Sequence, residues 1–134
     1  MKDTLHIVGC SGTKIWDRSD ALVYVPARHA YKGRGFLKAL TQVNGPWVIL
    51  SAKYGFIEPE HPIGNYDIRL GSAHSISDAS LRAQVQQQRD WGTEQVSIRL
   101  ADFKHIVCLN CDRTYVKKIR ASFTRNKIHL RSNE

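Results

Sequence analysis

The stretch LHIVGCSGTKIW, residues 5–16, is the part of the chain on which the predicted fold depends most. It opens with an apolar run through Val8, of the kind that forms a buried strand. Small, hydroxylated and cationic residues follow at 10–14. Such a turn is either an anion-binding loop, built from backbone N–H groups and Lys14, or a polar surface turn. The rest of the chain bears on that choice.

Strands and helices are predicted to alternate along the chain. Continuous apolar runs predict strands, and apolar residues at i, i+3, i+4 and i+7 predict helices. The predicted strands are 4–10, 47–51, 104–109 and 127–130, with a short extended segment at 66–70. The predicted helices are 28–43, 78–101 and 115–123. The helix over 78–101 has Ser77 as its cap and a break at Gly92, after which Thr93 caps a second piece.

This alternation predicts an α/β fold in three layers, with a mostly parallel central sheet and helices on both faces. Ligands of such sheets bind beyond the carboxyl ends of the strands. Polar loops follow the first three predicted strands, at 10–14, 51–55 and 110–115. We therefore expect these three loops to lie together at one edge of the sheet.

Candidate binding residues come from these loops, from a glycine-rich helix start at 31–35 and from the segment around Tyr66. Ammonium, guanidinium, hydroxyl and backbone N–H groups bind phosphate, and aromatic rings stack on bases. The candidates for ligand or phosphate binding are Cys10, Ser11, Thr13, Lys14, Tyr31, Arg34, Ser51, Tyr54, Gly55, Tyr66 and Asn110. Packed tyrosines, solvated charges and polar turns are the alternative interpretation of the same residues.

Two residues are candidates for catalysis. Asp67 follows a segment rich in turn residues, and its carboxylate could orient a water molecule or accept a hydrogen bond from a sugar hydroxyl. Alternatively, Asp67 pairs with Arg69 or caps a turn. Lys53 could transfer a proton from a partly buried position, or extend into solvent.

The cysteines and histidines predict no metal site and no cofactor. Cys10, Cys108 and Cys111 are an odd number, which argues against a disulfide framework. The C-x-x-C pair at 108–111 is a redox motif, half of a zinc site, or a buried strand cysteine followed by a turn cysteine. No histidine pair has metal-ligand spacing, and P-loop, G-x-G-x-x-G and G-x-S-x-G motifs are absent from the sequence.

Length and charge set wider limits on fold and function. The 134 residues fit a single domain, 1–134. No apolar run is long enough for a membrane span and no signal peptide is recognisable, which predicts a cytoplasmic protein without a membrane partner. The net charge of +8, from 20 Lys and Arg against 12 Asp and Glu, favours nucleic acid or a nucleotide as partner. A solvated basic surface is the alternative, and the oligomeric state is open.

Three segments together carry a family resemblance: CSGTKIW, PARHAYKGRGF and WVILSAKYGFIEPEHPIGNYDIRL. They resemble a small family of bacterial and phage α/β proteins that is distantly similar to the YaaA peroxide-stress proteins. That pattern combines an S-x-x-K-T turn with L-S-x-x-Y-G-[LF]-[LI]-x-P…I…Y, over roughly the first half of this chain. The matching residues are Ser11, Thr13, Lys14, Leu50, Ser51, Tyr54, Gly55, Phe56, Ile57, Pro59, Ile63 and Tyr66.

The resemblance implies an α/β fold and a link to DNA. YaaA-like proteins are associated with DNA binding and with protection from oxidative damage, and they are much larger than this chain. Small relatives are also similar to the uracil-glycosylase-like domains that accompany base-exchange enzymes of modified nucleosides. The resemblance therefore implies a Rossmann-like or uracil-glycosylase-like sheet, and binding or cleavage at a base–sugar bond.

Two functional hypotheses follow. The first is an enzyme acting at an N-glycosidic bond in DNA modification, repair or phage defence. In it Lys14, Lys53 and Arg34 hold phosphate, Tyr54 or Tyr31 stacks on the base, and Asp67 orients water. The second is a non-catalytic module that binds DNA or a nucleotide with the same loops. A thiol-based activity through the cysteines ranks last.

Overall fold

The structure, a computed structural model, describes residues 3–10, 14–17, 24–93 and 97–131, and a five-stranded sheet lies at its centre. The strands are β1 (Thr4–Gly9), β2 (Val25–Pro26), β3 (Trp47–Ser51), β4 (Gly55–Ile57), β5 (Pro62–Ile63), β6 (His105–Leu109) and β7 (Lys127–Arg131). The α-helices are α1 (Ala27–Ala30), α2 (Arg34–Leu40), α3 (Asp78–Val85) and α4 (Arg113–Ser122). Short 3-10 helices cover Ile15–Asp17 and Leu100–Asp102.

The order of strands in the sheet is β4-β3-β1-β6-β7. The last four of these are parallel to one another, and β4 runs antiparallel to β3. At the centre of the sheet, Ile7 of β1 pairs with Val48 on one side and with Cys108 on the other. The chain fills one side of β1 first and then crosses to the other side. The carboxyl ends of β1, β3 and β6 therefore meet at one edge, while β2 and β5 form a separate antiparallel pair.

The central strands are apolar along their length because they are buried, as expected for strands covered on both faces. Leu5, Ile7 and Val8 have no exposed surface, and β3 and β6 are equally apolar. β7 differs because it lies at the edge of the sheet, and four of its five residues are exposed. The position of each strand in the sheet thus accounts for its composition.

The two longest helices begin at side-chain caps. The hydroxyl of Ser77 accepts a hydrogen bond from the backbone N–H of Ser80 at the start of α3. At the start of α4, the carboxylate of Asp112 accepts one from the N–H of Tyr115 at 3.1 Å. Tyr115 and Ile119 then turn the apolar side of α4 toward the core. The cap thus fixes where α4 starts, directly beyond the end of β6.

The sequence correctly predicts the α/β fold with a mostly parallel sheet, and all four predicted strands are present. The predicted helix over 28–43 is wrong in one respect, because it is two helices separated at 31–33. Tyr31 has an extended backbone, pairs with Lys14 across an isolated bridge, and is completely buried. Burial of this ring interrupts the helical spacing.

Three further predictions differ from the structure. The helix predicted from 78 ends at Val85, and after it Arg89 and Ile98 form an antiparallel bridge instead of a second helix capped by Thr93. Gly92 has a φ of 75°, and Trp91 is buried beside it, so the chain turns there. The segment 66–70 is not a strand, and the three-residue strand β4 was not predicted.

Within the described ranges, no helix has both the length and the apolar character that crossing a membrane requires.

The contact between β1 and the end of β6 gives a prediction about Gly9. A Cβ atom at this position would overlap the carbonyl oxygen of Asn110. We expect Gly9→Ala to lower the free energy of unfolding by about 1–3 kcal/mol, as overpacking in a core does. Gly35 lies inside α2, where alanine favours the helix, so Gly35→Ala should leave stability unchanged or raised. Equal urea midpoints for Gly9→Ala and the unsubstituted chain would contradict the prediction.

Candidate functional site

A cleft of about 430 Å³ lies where the carboxyl ends of β1, β3 and β6 meet. This is the point at which the strand order reverses, the usual ligand position in open α/β sheets. The lining residues come from the loops after these strands, from the segment 66–70 and from the first turn of α4. They are Cys10, Lys14, Ala52, Tyr66, Asp67, Ile68, Arg69, Leu70, Asp112, Thr114 and Tyr115.

The hydroxyl of Tyr66 is the centre of a buried hydrogen-bond network beneath the cleft. Ser51 Oγ donates to it at 3.0 Å, and the hydroxyl of Tyr31 lies 2.8 Å away. Cys10 Sγ is 3.4 Å from the same hydroxyl and 3.7 Å from that of Tyr115. These five side chains come from five separate parts of the chain. The network therefore joins the ends of β1 and β3 to α4 and to the loop that carries Tyr66.

Burial keeps the phenols of this network neutral. It is the largest cause raising the pKa of Tyr31, Tyr66 and Tyr115 above the ordinary value of about 10. Each phenol therefore holds its proton at neutral pH and can donate a hydrogen bond. Tyr66 and Tyr115 also line the cleft, so their neutral hydroxyls are part of its chemistry.

Ser51 shapes the loop that follows β3. Its side-chain oxygen accepts hydrogen bonds from the backbone N–H groups of Lys53 and Tyr54, each at 3.2 Å. Gly55, which ends this loop, has a φ of 77°, and a Cβ atom there would overlap Gln84 Oε1. That oxygen accepts a hydrogen bond from the N–H of Phe56. Ser51 and Gly55 therefore position the loop, and neither lines the cleft.

Aromatic and cationic side chains stack on one side of the cleft. The Nζ atom of Lys14 lies 4.7 Å from the ring centroid of Tyr66, a cation–π contact. The ring of Tyr54 packs edge to face against the ring of Tyr66, with 5.8 Å between the ring centroids. The hydroxyl of Tyr54 accepts a hydrogen bond from Gly64 N–H. Tyr66 thus supports a positive charge at the cleft and is itself held in place by a second ring.

The charged groups that line the cleft balance one another. Among the described residues that line the cleft, Lys14 and Arg69 are the two cations, and Asp67 and Asp112 are the two carboxylates. Asp67 and Arg69 are exposed, and Asp112 has one oxygen engaged as the cap of α4. The cleft therefore combines groups that bind phosphate with carboxylates that accept hydrogen bonds or protons. The basic character of the chain is located elsewhere.

The structure brings some of the predicted site residues together and separates others. Cys10, Lys14, Tyr66 and Asp67 line the cleft. Tyr31 and Ser51 lie behind it in the hydrogen-bond network, and Tyr54 and Gly55 support the loop next to it. Ser11 and Thr13 lie outside the described residues.

Three other candidates lie outside the cleft. Lys53 is exposed, with its ammonium 5.2 Å from the ring centroid of Tyr54. Arg34 is exposed at the first position of α2. Asn110 has a φ of 54°, and its amide donates a hydrogen bond to the carbonyl of Gly9 at 2.8 Å. Its side chain thus holds the ends of β6 and β1 together.

The sequence did not single out several residues that line the cleft. Asp112, Thr114 and Tyr115 lie in the loop 110–115, which was expected at this edge, but they were not chosen as candidates. Arg69 was considered only as a partner for Asp67. The rule that loops after parallel strands share one edge applies to all of 110–115, and applying it there would have found the first three residues.

The cysteines at 108 and 111 lie beside the cleft without lining it. All three cysteines of the chain are free thiols. Hydrogen bonding from Cys111 lowers the pKa of Cys108, and the same interaction raises that of Cys111. Cys111 Sγ also donates to the carbonyl of Leu109 at 3.2 Å. In the part of the chain that the structure describes, no group of three or more His, Cys, Asp or Glu residues could hold a metal ion.

Comparisons with known proteins identify relatives but no activity. The model of a family of unknown function, DUF6884, matches residues 5–133. Over 75 residues the chain is 39% identical to the uncharacterized protein YfjM of Bacillus subtilis (strain 168). That alignment covers 52% of this chain and 49% of YfjM, so it spans about half the length of the relative. No solved structure matches the chain.

The hydroxyl of Tyr66 can be tested by removing it. We expect Tyr66→Phe to lower the free energy of unfolding by about 1–3 kcal/mol, because Ser51 Oγ and the Tyr31 hydroxyl lose a buried partner. Tyr24 is 66% exposed, so Tyr24→Phe should change stability by less than about 0.5 kcal/mol. Urea unfolding of both variants measures the difference. Equal effects of the two substitutions would contradict a structural role for the Tyr66 hydroxyl.

The raised pKa values predict how stability depends on alkaline pH. The folded state holds these phenolic protons more tightly than the unfolded chain does. Their contribution to stability is complete below the unfolded pKa of about 10 and is lost as pH rises beyond it. We expect Tyr31, Tyr66 and Tyr115 to stay protonated until the chain unfolds. Tyrosinate absorbance and circular dichroism, followed together, check this. Ionisation of all five tyrosines with the fold intact would contradict it.

Proposed function

The chain belongs to the family of unknown function DUF6884, and from the geometry of the cleft we propose that it is a nucleotide- or nucleic-acid-directed protein. The observation that carries this proposal is the Lys14–Tyr66 pair at the point where the strand order reverses. The cation held over this ring offers a phosphate-binding group, and the neutral hydroxyls of Tyr66 and Tyr115, which line the same cleft, can hydrogen-bond to a base or sugar. Arg69 offers a second phosphate-binding group in the same cleft.

The arrangement of the helices supports a finer description of the fold. The connection from β1 to β3 and the connection from β6 to β7 run in opposite directions across the sheet. Right-handed connections, the rule for parallel strands, put α2 and α4 on opposite faces. We therefore propose a three-layer, Rossmann-like sheet. We also propose, from the resemblance to YaaA proteins and to uracil-glycosylase-like domains, that the bond on which the protein acts is the base–sugar bond.

Asp67 is the residue that would make this site catalytic. Its exposed carboxylate lines the cleft between Tyr66 and Arg69, where water can reach it. In hydrolysis of an N-glycosidic bond, a water oxygen bonds to the anomeric carbon as the carbon–nitrogen bond breaks. Asp67 accepts the proton of that water, and the base leaves with the bonding electrons and takes up a proton from solvent. Asp67 therefore has the role of general base in this proposal.

A non-catalytic binding module is the second candidate function. It is favoured by the position of Lys53, the other catalytic candidate, which is exposed and does not line the cleft. Only one of the two groups proposed for catalysis is therefore near the ligand site. The two candidates differ in whether a base is released from a bound nucleotide or oligonucleotide.

Substitutions in the cleft separate binding from catalysis. We expect Lys14→Ala and Arg69→Ala each to weaken binding of nucleoside monophosphates about tenfold, the effect of losing one charge-assisted hydrogen bond of about 1.5 kcal/mol. Asp67→Asn should leave binding nearly unchanged and abolish release of free base. Calorimetry measures the Kd, and chromatography of the free base measures turnover.

Lys38 provides a matched control, because it lies in the last turn of α2 and does not line the cleft. Lys38→Ala should change neither binding nor base release. Full affinity in both Lys14→Ala and Arg69→Ala would show that nucleotides do not bind in the cleft. Binding without base release in the unsubstituted protein would establish the non-catalytic alternative. Base release retained in both Asp67→Asn and Lys53→Ala would remove the catalytic role proposed for these residues.

A further inference from the structure

Nearly all of the net charge of the chain is carried by one segment. Residues 113–131 contain seven of the 20 Lys and Arg residues and none of the 12 Asp and Glu residues. The remainder of the chain is therefore close to neutral, although the whole has a net charge of +8. This segment comprises α4, β7 and the turn between them. A polyanion would be attracted to this one part of the surface.

Three of these cations form a row along the exposed side of α4. Arg113, Lys117 and Arg120 are all exposed, and their spacing of four and three residues places them on one face of the helix. The row extends about 10 Å along the helix axis. Lys118 does not belong to it, because its ammonium is 2.7 Å from Asp78 Oδ1 in a salt bridge. We call Arg113, Lys117 and Arg120 the basic face.

The basic face is continuous with the cleft. A groove of about 570 Å³ beside α4 has Arg113 and Lys117 in its wall, and it shares Arg69 and Thr114 with the cleft. A second groove, of about 510 Å³, contains all three residues of the basic face and shares Asp112 with the cleft. Cations therefore extend from the edge of the cleft along α4, although Asp78 lines the first groove and Asp112 the second.

The described lining of the second groove offers three cations to a ligand but no aromatic ring on which a base could stack. Apart from its charged residues, it is lined by Cys111, Val116 and Leu130, and none of its seven described lining residues is aromatic. Cations without stacking rings bind phosphates in a manner that depends little on base sequence. In contrast, the described lining of the cleft includes the aromatic residues Tyr66 and Tyr115. Recognition of a base thus belongs to the cleft, and α4 supplies charge.

We propose that the basic face binds the phosphate backbone of a single-stranded nucleic acid and that this contact leads one nucleotide of the strand into the cleft. The inference rests on the proposed function, because it takes the cleft to be the nucleotide site. A single strand fits better than a duplex. Its nucleotides are already free to enter the cleft, whereas a base in a duplex must first be extruded at a cost of a few kcal/mol.

The test compares two triple variants that remove the same charge. The first is Arg113→Gln, Lys117→Gln and Arg120→Gln. The second is Lys38→Gln, Lys104→Gln and Arg125→Gln, three exposed cations that lie near the amino ends of the parallel strands, away from the cleft. Fluorescence anisotropy gives the Kd for a labelled twelve-nucleotide deoxythymidine strand, its uridine counterpart and a duplex, over a range of salt concentrations. Calorimetry gives the Kd of thymidine monophosphate for the same proteins.

The basic-face variant should bind the single strand at least tenfold more weakly in low salt. The slope of log affinity against log salt should become shallower by about 2, since each lost phosphate contact in a single strand contributes about 0.7. The control variant should change the affinity by less than threefold. Both variants should bind thymidine monophosphate as the unsubstituted protein does, because the cleft is intact.

Three outcomes would overturn the inference. Equal losses in the two triple variants would show attraction to net charge alone, and tighter binding to the duplex than to the single strand would identify a different partner. Failure of the unsubstituted protein to bind the strand, while it binds thymidine monophosphate, would overturn the role of the basic face and leave the proposed function standing. The proposed function is tested separately by Lys14→Ala and Arg69→Ala, which should weaken mononucleotide binding while the basic-face variant does not.

Discussion

The architecture around the cleft depends on the hydroxyl of Tyr66. A single buried oxygen contacts side chains from the end of β1, the end of β3 and the residue after α1. Loss of this oxygen would remove one buried hydrogen-bond partner from each of these groups, and an unsatisfied buried polar group costs about 1–3 kcal/mol. The ring of the same residue carries Lys14 on its face. One tyrosine therefore satisfies the polar groups beneath the cleft and also presents a cation to its interior, so the stability of the fold and the chemistry of the site are linked there.

The separation of charge explains how a strongly basic chain can contain a cleft without net charge. Two carboxylates offset two cations within the cleft, while Arg113, Lys117 and Arg120 are exposed on a helix that carries no acid. A cleft lined only by cations would bind any phosphate tightly and offer no acceptor for sugar hydroxyls or for a proton. In the proposed function, long-range attraction of a polyanion and local recognition of a nucleotide belong to neighbouring but different surfaces.

Features determined by interactions between residues close in the sequence could be predicted, and features determined by contacts between distant residues could not. The strands β1, β3 and β6 were predictable because burial on both faces makes them mainly apolar, and the cap at Ser77 acts over three residues. The break at Tyr31 was not, because burial of its ring against distant parts of the chain determined it. The break at Gly92 was predicted, but the bridge between Arg89 and Ile98 that replaces a second helix was not. The same applied to the site. Topology correctly predicted that described residues after β1, β3 and β6 share one cleft, but whether Lys53 or Arg69 faced that cleft depended on side-chain directions that no local pattern encodes.

The segment 66–70 has a consequence for how this site can change in evolution. Tyr66 and Leu70 are buried at its two ends, and the three residues between them line the cleft without belonging to a helix or a strand. Substitutions at Asp67 and Arg69, which are exposed, would alter the charge of the cleft without removing a backbone hydrogen bond of the sheet, whereas Ile68 packs against the core. The charge of the cleft can therefore change at exposed positions of this segment while Tyr66 and Leu70 remain buried at its ends.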